Sequence, residues 1–141
     1  MKKIVIFLAI VIIIVSAIAV KYYSQIVEYN TIIKENAEYE QYKGKEIYGL
    51  DLVSIINKVA DENIKNKVEK SEDGMFIQND KDAIEIEIYM KDNDTTYKME
   101  TFYNSGTQQF MNHYRDIKFN CSKIEYHQST NKIKYLLFEQ I

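Results

Sequence analysis

Few residues in this chain carry reactive chemistry. The two histidines are His113 and His127, and the single cysteine is Cys121. Cys121 and His127 have the types of a thiol–imidazole pair. However, they stand six residues apart on one extended stretch, with Cys121 on its apolar side, so a buried inert thiol is expected rather than a nucleophile. No H-x-x-x-H or C-x-x-C spacing is present, and the two histidines lack spaced partners, so no metal ligands are expected. Two acidic loops invite a calcium reading: Asp80 with Asp82, and Asp92-Asn93-Asp94. Neither has the D-x-D-x-D-G spacing and closing Glu of an EF-hand, and tight turns select Asp and Asn for their geometry alone. There is no P-loop, no G-x-G-x-x-G and no G-x-S-x-G, so neither catalytic residues nor a cofactor are expected.

The dominant element is the amino-terminal stretch. After Met1-Lys2-Lys3 come seventeen uncharged residues, Ile4 to Val20, of which thirteen are Ile, Val, Leu or Phe. At roughly −0.3 to −0.6 kcal/mol each, these thirteen favour insertion into lipid by about 4–8 kcal/mol, an upper bound because the values hold for a helix centre. The run spans ~25 Å as a helix, and Lys3, Lys21 and the Tyr22-Tyr23 pair can extend it to a ~30 Å hydrocarbon core by snorkelling and interfacial seating. Two lysines before the run against one after it favour an amino terminus in the cytoplasm. A cleaved signal peptide is the rival, with Ala17-Ile18-Ala19 as the cut site, although the run exceeds the usual ~7–15-residue apolar region. Both readings export the rest of the chain. No cysteine near the run offers a lipid anchor.

The expected organisation is a cytoplasmic tip at 1–3, a transmembrane helix at 4–20, a helical stalk at 21–43 and an extracytoplasmic domain at 44–141. Of 18 basic residues, removing Lys2 and Lys3 leaves 16 against 21 acidic ones beyond the membrane. That balance argues against nucleic acid as a partner. One cysteine permits no internal disulfide, so the domain relies on an ordinary apolar core.

In the stalk, Ala19, Tyr22, Ile26, Tyr29 and Ile33 recur at spacings of three and four, the rhythm of a packing seam. Two heptads are too few for a self-standing coiled coil, so the stripe is expected to pack on its own domain or on a partner helix. Tyr22, Ile26, Tyr29 and Ile33 are the candidate partner contacts, with the bilayer and another envelope protein as the partners. Asp51 is placed to cap a second helix with a buried stripe of Leu52, Ile55, Ile56, Val59 and Ala60, fading near Asn63. From Met75 the period becomes two. Strands are expected at 75–77, at Ile84-Ile86-Ile88, at 97–102, and in a final hairpin holding Ile117-Phe119-Cys121 and Ile133-Tyr135-Leu137, with a bulge near Ser122-Lys123. A short helix with Phe110, Met111 and Tyr114 inside precedes that hairpin. The fold class expected is α+β, with an antiparallel sheet of about four strands and a short inserted helix.

Two stretches, Glu46 to Lys58 with its I-x-G-x-D-like core and Phe119 to Gln140, resemble small, amino-terminally anchored envelope proteins of clostridia-like Gram-positive bacteria, loosely grouped with pilin-like proteins. The resemblance implies an envelope address and an anchored domain, and it carries no activity. The type IV prepilin pattern itself is missing, because no glycine precedes Gly44 and the apolar run holds no acid. The function expected is that of a non-enzymatic structural or accessory subunit of a cell-envelope assembly. The alternative is an exported domain that binds peptide, glycan or a cation.

Overall fold

The computed structural model describes residues 2–141. The elements are α1 (Lys2–Glu40), β1 (Glu46–Tyr48), α2 (Gly49–Lys65), β2 (Glu85–Met90), β3 (Thr95–Lys98), α3 (Met99–Asn104), α4 (Gln108–Tyr114), β4 (Lys118–Tyr126) and β5 (Ile133–Gln140). The fold is α+β. Two compact units divide the chain at Glu35/Asn36, inside α1, so the folded unit includes the last turn of that helix as well as residues 44–141.

The first unit runs to Glu35, and its described residues, from Lys2 onward, are all helix. Its apolar residues are exposed except Ile32, which is half-buried, and an 18-residue window has a mean hydropathy of 3.1 with no residue buried. In water such a surface is unfavourable by about 25 cal/mol per Å². By length and composition α1 can cross a membrane, and a signal sequence has the same character.

The second unit, Asn36–Ile141, is a five-stranded sheet in the order β1-β4-β5-β2-β3. β1–β4, β4–β5 and β2–β3 are antiparallel, but β2 and β5 run parallel, with Ile86 opposite Leu136 and Ile88 opposite Phe138. The sheet is therefore mixed rather than wholly antiparallel. Strict alternation reports one buried face and is blind to the direction of the neighbouring strand. Helices α2, α3 and α4 share one sheet face; α2 packs on both α3 and α4. The core forms there from Leu52, Ile55, Ile56 and Val59 of α2 against Ile86, Ile88, Phe119, Leu136 and Phe138 of the strands.

Local differences from the sequence reading have local causes. Asp51 lies in the first turn instead of at the cap, and its carboxylate accepts from the Tyr48 amide at 3.4 Å. Segment 75–77 makes only an isolated bridge, Lys70 to Phe76. The strand expected at 97–102 stops at Lys98, where α3 begins. Tyr97 and Met99 fit a period of two, but Met99, Phe102 and Tyr103 also fit helical spacing, and helix prevails from Met99. The bulge appears where expected, between Cys121 and Lys123, with a second between Glu125 and Tyr126.

Candidate functional site

The four candidate contact residues, Tyr22, Ile26, Tyr29 and Ile33, lie on α1 and are 43–67% exposed. Their helix continues to Glu40, but at Asn36 its surroundings change. Asn36 is buried; its Nδ2 donates to the Asn131 carbonyl at 2.7 Å and its Oδ1 accepts from the Ile133 amide at 3.0 Å. Asn36 thus acts as a strand-edge mimic at the start of β5, satisfying a donor and an acceptor that would otherwise be stranded.

Asn63 does the same for β2. It is fully buried, donates Nδ2 to the Ile84 carbonyl at 2.8 Å and accepts the Ile84 amide on Oδ1 at 2.9 Å. Both asparagines sit one helical step beyond an apolar stripe, after Ile33 and after Ala60. A polar residue falling on a stripe was the available signal, and spacing read for apolar residues alone passes over it.

The reactive side chains are held in structural roles. Cys121 is fully buried, its thiol weakly directed at the Lys123 carbonyl at 3.9 Å, and burial pushes its pKa up to about 11. A thiol held protonated in this way is a poor nucleophile. His127 is buried, with Nε2 2.9 Å from the Ala83 carbonyl; since a carbonyl only accepts, Nε2 carries the hydrogen. His113 is exposed on α4, its Nδ1 3.0 Å from the Gln109 carbonyl.

The acidic loops are likewise turn structures. Asn79 Oδ1 accepts from the amides of Lys81, Asp82 and Ala83 at 2.9–3.0 Å, and Asn79 Nδ2 donates to Asp82. The hydroxyls of Ser129 and Thr130 donate to the carbonyls of Asp80 and Lys81, which fastens that turn to the β4–β5 loop. In the β2–β3 hairpin, Asp94 accepts the Tyr89 hydroxyl at 2.8 Å, and Asn93 donates to the Tyr97 hydroxyl at 2.7 Å. Among the described residues no three of His, Cys, Asp and Glu are grouped to hold a metal ion.

An open groove of about 770 Å³ is lined by Asp80, Glu125, Tyr126, His127, Gln128 and Lys134. Several of its polar groups are already engaged. Tyr126 donates to Glu40 at 2.7 Å, Glu125 pairs with Lys123 at 2.6 Å, and His127 holds Ala83. The uncovered sheet face is similarly self-paired: Lys98 meets Glu85 at 2.6 Å, Tyr135 donates to Glu87 at 2.7 Å and Lys118 meets Glu46 at 2.8 Å. Solvated ion pairs of this kind add little to stability.

Four tyrosines share one arrangement, a hydroxyl against a carboxylate. Burial first and then Glu62 raise the pKa of Tyr39; burial first and then Glu40 push that of Tyr126 up to about 12. Burial and then Glu87 raise Tyr135, whereas at Tyr89 the hydrogen bond to Asp94 leads. These groups stay protonated in the folded state after they would ionise in the unfolded chain. Their contribution is complete below the ordinary tyrosine pKa near 10 and is lost as pH rises through the folded values. The domain is expected to unfold progressively from about pH 10 upward. Replacing Tyr126 and Tyr135 by Phe should flatten that decline; circular dichroism against pH checks it.

No family model, no curated protein and no solved structure matches this chain.

Proposed function

We propose that this is a single-pass membrane protein with a cytoplasmic amino terminus, whose α+β domain lies outside the membrane and serves as a non-enzymatic subunit of a cell-envelope assembly. The carrying observation is the unbroken helix α1, whose apolar residues from Ile4 to Val20 are all exposed. Exposed apolar surface of that extent is stable only in lipid or against another protein. Lys2 and Lys3 ahead of the run, against Lys21 behind it, favour this orientation. The non-enzymatic part rests on the engaged state of Cys121, His127 and the acidic loops.

A second reading, an exported domain that binds peptide or glycan, draws on the groove beside His127, which Gln128 and Lys134 also line. Protease added to intact cells tests the leading reading. Loss of the α+β domain with the apolar helix left in the membrane supports it, and full protection contradicts it.

A further inference from the structure

We propose that α1 pairs with α1 of a second copy of this chain as a parallel two-stranded helical seam running from Val5 to Ile33. This rests on the membrane reading above for the shared orientation of the two copies. The seam in the exposed stalk fixes the phase. With Ala19, Ile26 and Ile33 at the first heptad position and Tyr22 and Tyr29 at the fourth, every charged residue from Lys21 to Glu35 falls on the back. Lys21, Glu28 and Glu35 are third-position residues, and Lys34 is a second-position residue. The flanking positions that meet across a parallel pair hold Tyr23, Gln25, Asn30 and Ile32, none of them charged. Two identical copies therefore meet with no like charges opposed.

Two heptads alone are too few, but α1 is continuous from Lys2 to Glu40. The same phase carried inward adds Val5 and Ile12 at the first position and Leu8 and Val15 at the fourth, which makes about four heptads. Any face of the apolar run would supply such residues, so it contributes length, not phase. One feature of that run still bears on the choice of partner. Ala9, Ser16 and Ala19, three of the four small residues in the run, fall on the inward side, where close approach in lipid needs them. The seam ends at Ile33, because the next position is Asn36, buried with both amide groups engaged.

Anchoring holds all copies parallel in one plane and raises their effective concentration, which compensates for a modest contact area. A disulfide requires Cα atoms within about 7 Å, which only seam positions provide between copies. Cysteine is therefore placed singly in the full chain at Ile26, Ile33, Glu28 and Glu35, and membranes are treated with oxidant. The unaltered chain, whose one cysteine is buried, is the control. Ile26→Cys and Ile33→Cys are expected to give a species of twice the 16.7 kDa chain mass, roughly tenfold above Glu28→Cys and Glu35→Cys.

Equal yields at front and back, no crosslink, or adducts of another mass would each overturn the pairing. If the chain is absent from membranes, the anchor reading fails on its own. The same four variants oxidised in the soluble fraction then still decide the seam.

Discussion

Asn63→Ala is expected to lower the stability of the α+β unit by about 2–4 kcal/mol, since it strands both backbone groups of buried Ile84 with no replacement partner. The side-chain amide supplies one donor and one acceptor to a single residue at the entrance to β2, so neither bond can be lost alone without strain on the other. Asn63→Asp should fare no better. It keeps the acceptor for the Ile84 amide but turns a carboxylate oxygen toward the Ile84 carbonyl, where a donor is required. Chemical unfolding of the detergent-solubilised protein, followed by circular dichroism, reads the change. A loss below about 0.5 kcal/mol, the range of ordinary surface substitutions, would show that Asn63 does not join α2 to the sheet.

Gly49→Ala is expected to be at least as damaging. A methyl group there would lie 2.0 Å from the Tyr114 carbonyl oxygen and 2.8 Å from its carbon, both rigid backbone atoms. Gly49 also donates its amide to the Ile117 carbonyl at 2.9 Å, so the start of α2 cannot move away from the α4–β4 junction without losing that bond. Overpacking of this kind costs about 3 kcal/mol or more where the neighbour cannot yield. Gly44→Ala is a useful contrast. Nothing lies within 4 Å of a methyl group there, and the penalty arises only from its φ of +69°. A folded Gly49→Ala variant of unchanged stability would contradict the packing of α2 on α4.

These two positions mark the boundary of what the sequence discloses. The stripe Leu52, Ile55, Ile56, Val59 and Ala60 is legible because burial on one helix face imposes a 3.6-residue period, and all five residues are buried. The strand at Ile84-Ile86-Ile88 is legible for the corresponding reason. The parallel pairing of β2 with β5 is not, because partner direction leaves no mark on the alternation. Neither is the approach of Gly49 to Tyr114, since the two are distant in sequence and a glycine before a helix has many local explanations. Asn36 and Asn63 lie between these cases: each occupies a stripe position, and only the backbone it reaches distinguishes a satisfied amide from a helix end.

The reactive residues follow the same logic. Cys121 falls on the buried face of β4, as alternation with Phe119 requires. The burial of His127 and its hold on Ala83 depend on a long-range meeting of two loops that no local pattern encodes. The twelve tyrosines, numerous for the length, acquire a partial physical account: four set their hydroxyls against carboxylates in the folded unit, while Tyr22, Tyr23 and Tyr29 stay exposed on α1. That division leaves three amphipathic aromatic side chains on the exposed surface of α1.

The most direct measurement is the mass of what remains in membranes after trypsin has been added to intact cells. The account predicts that the 16.7 kDa chain is cut at exposed Lys21 or Lys34, leaving a short amino-terminal fragment in the membrane and no α+β domain attached. Recovery of the whole chain uncut, or its presence only in the cytosol, would contradict it.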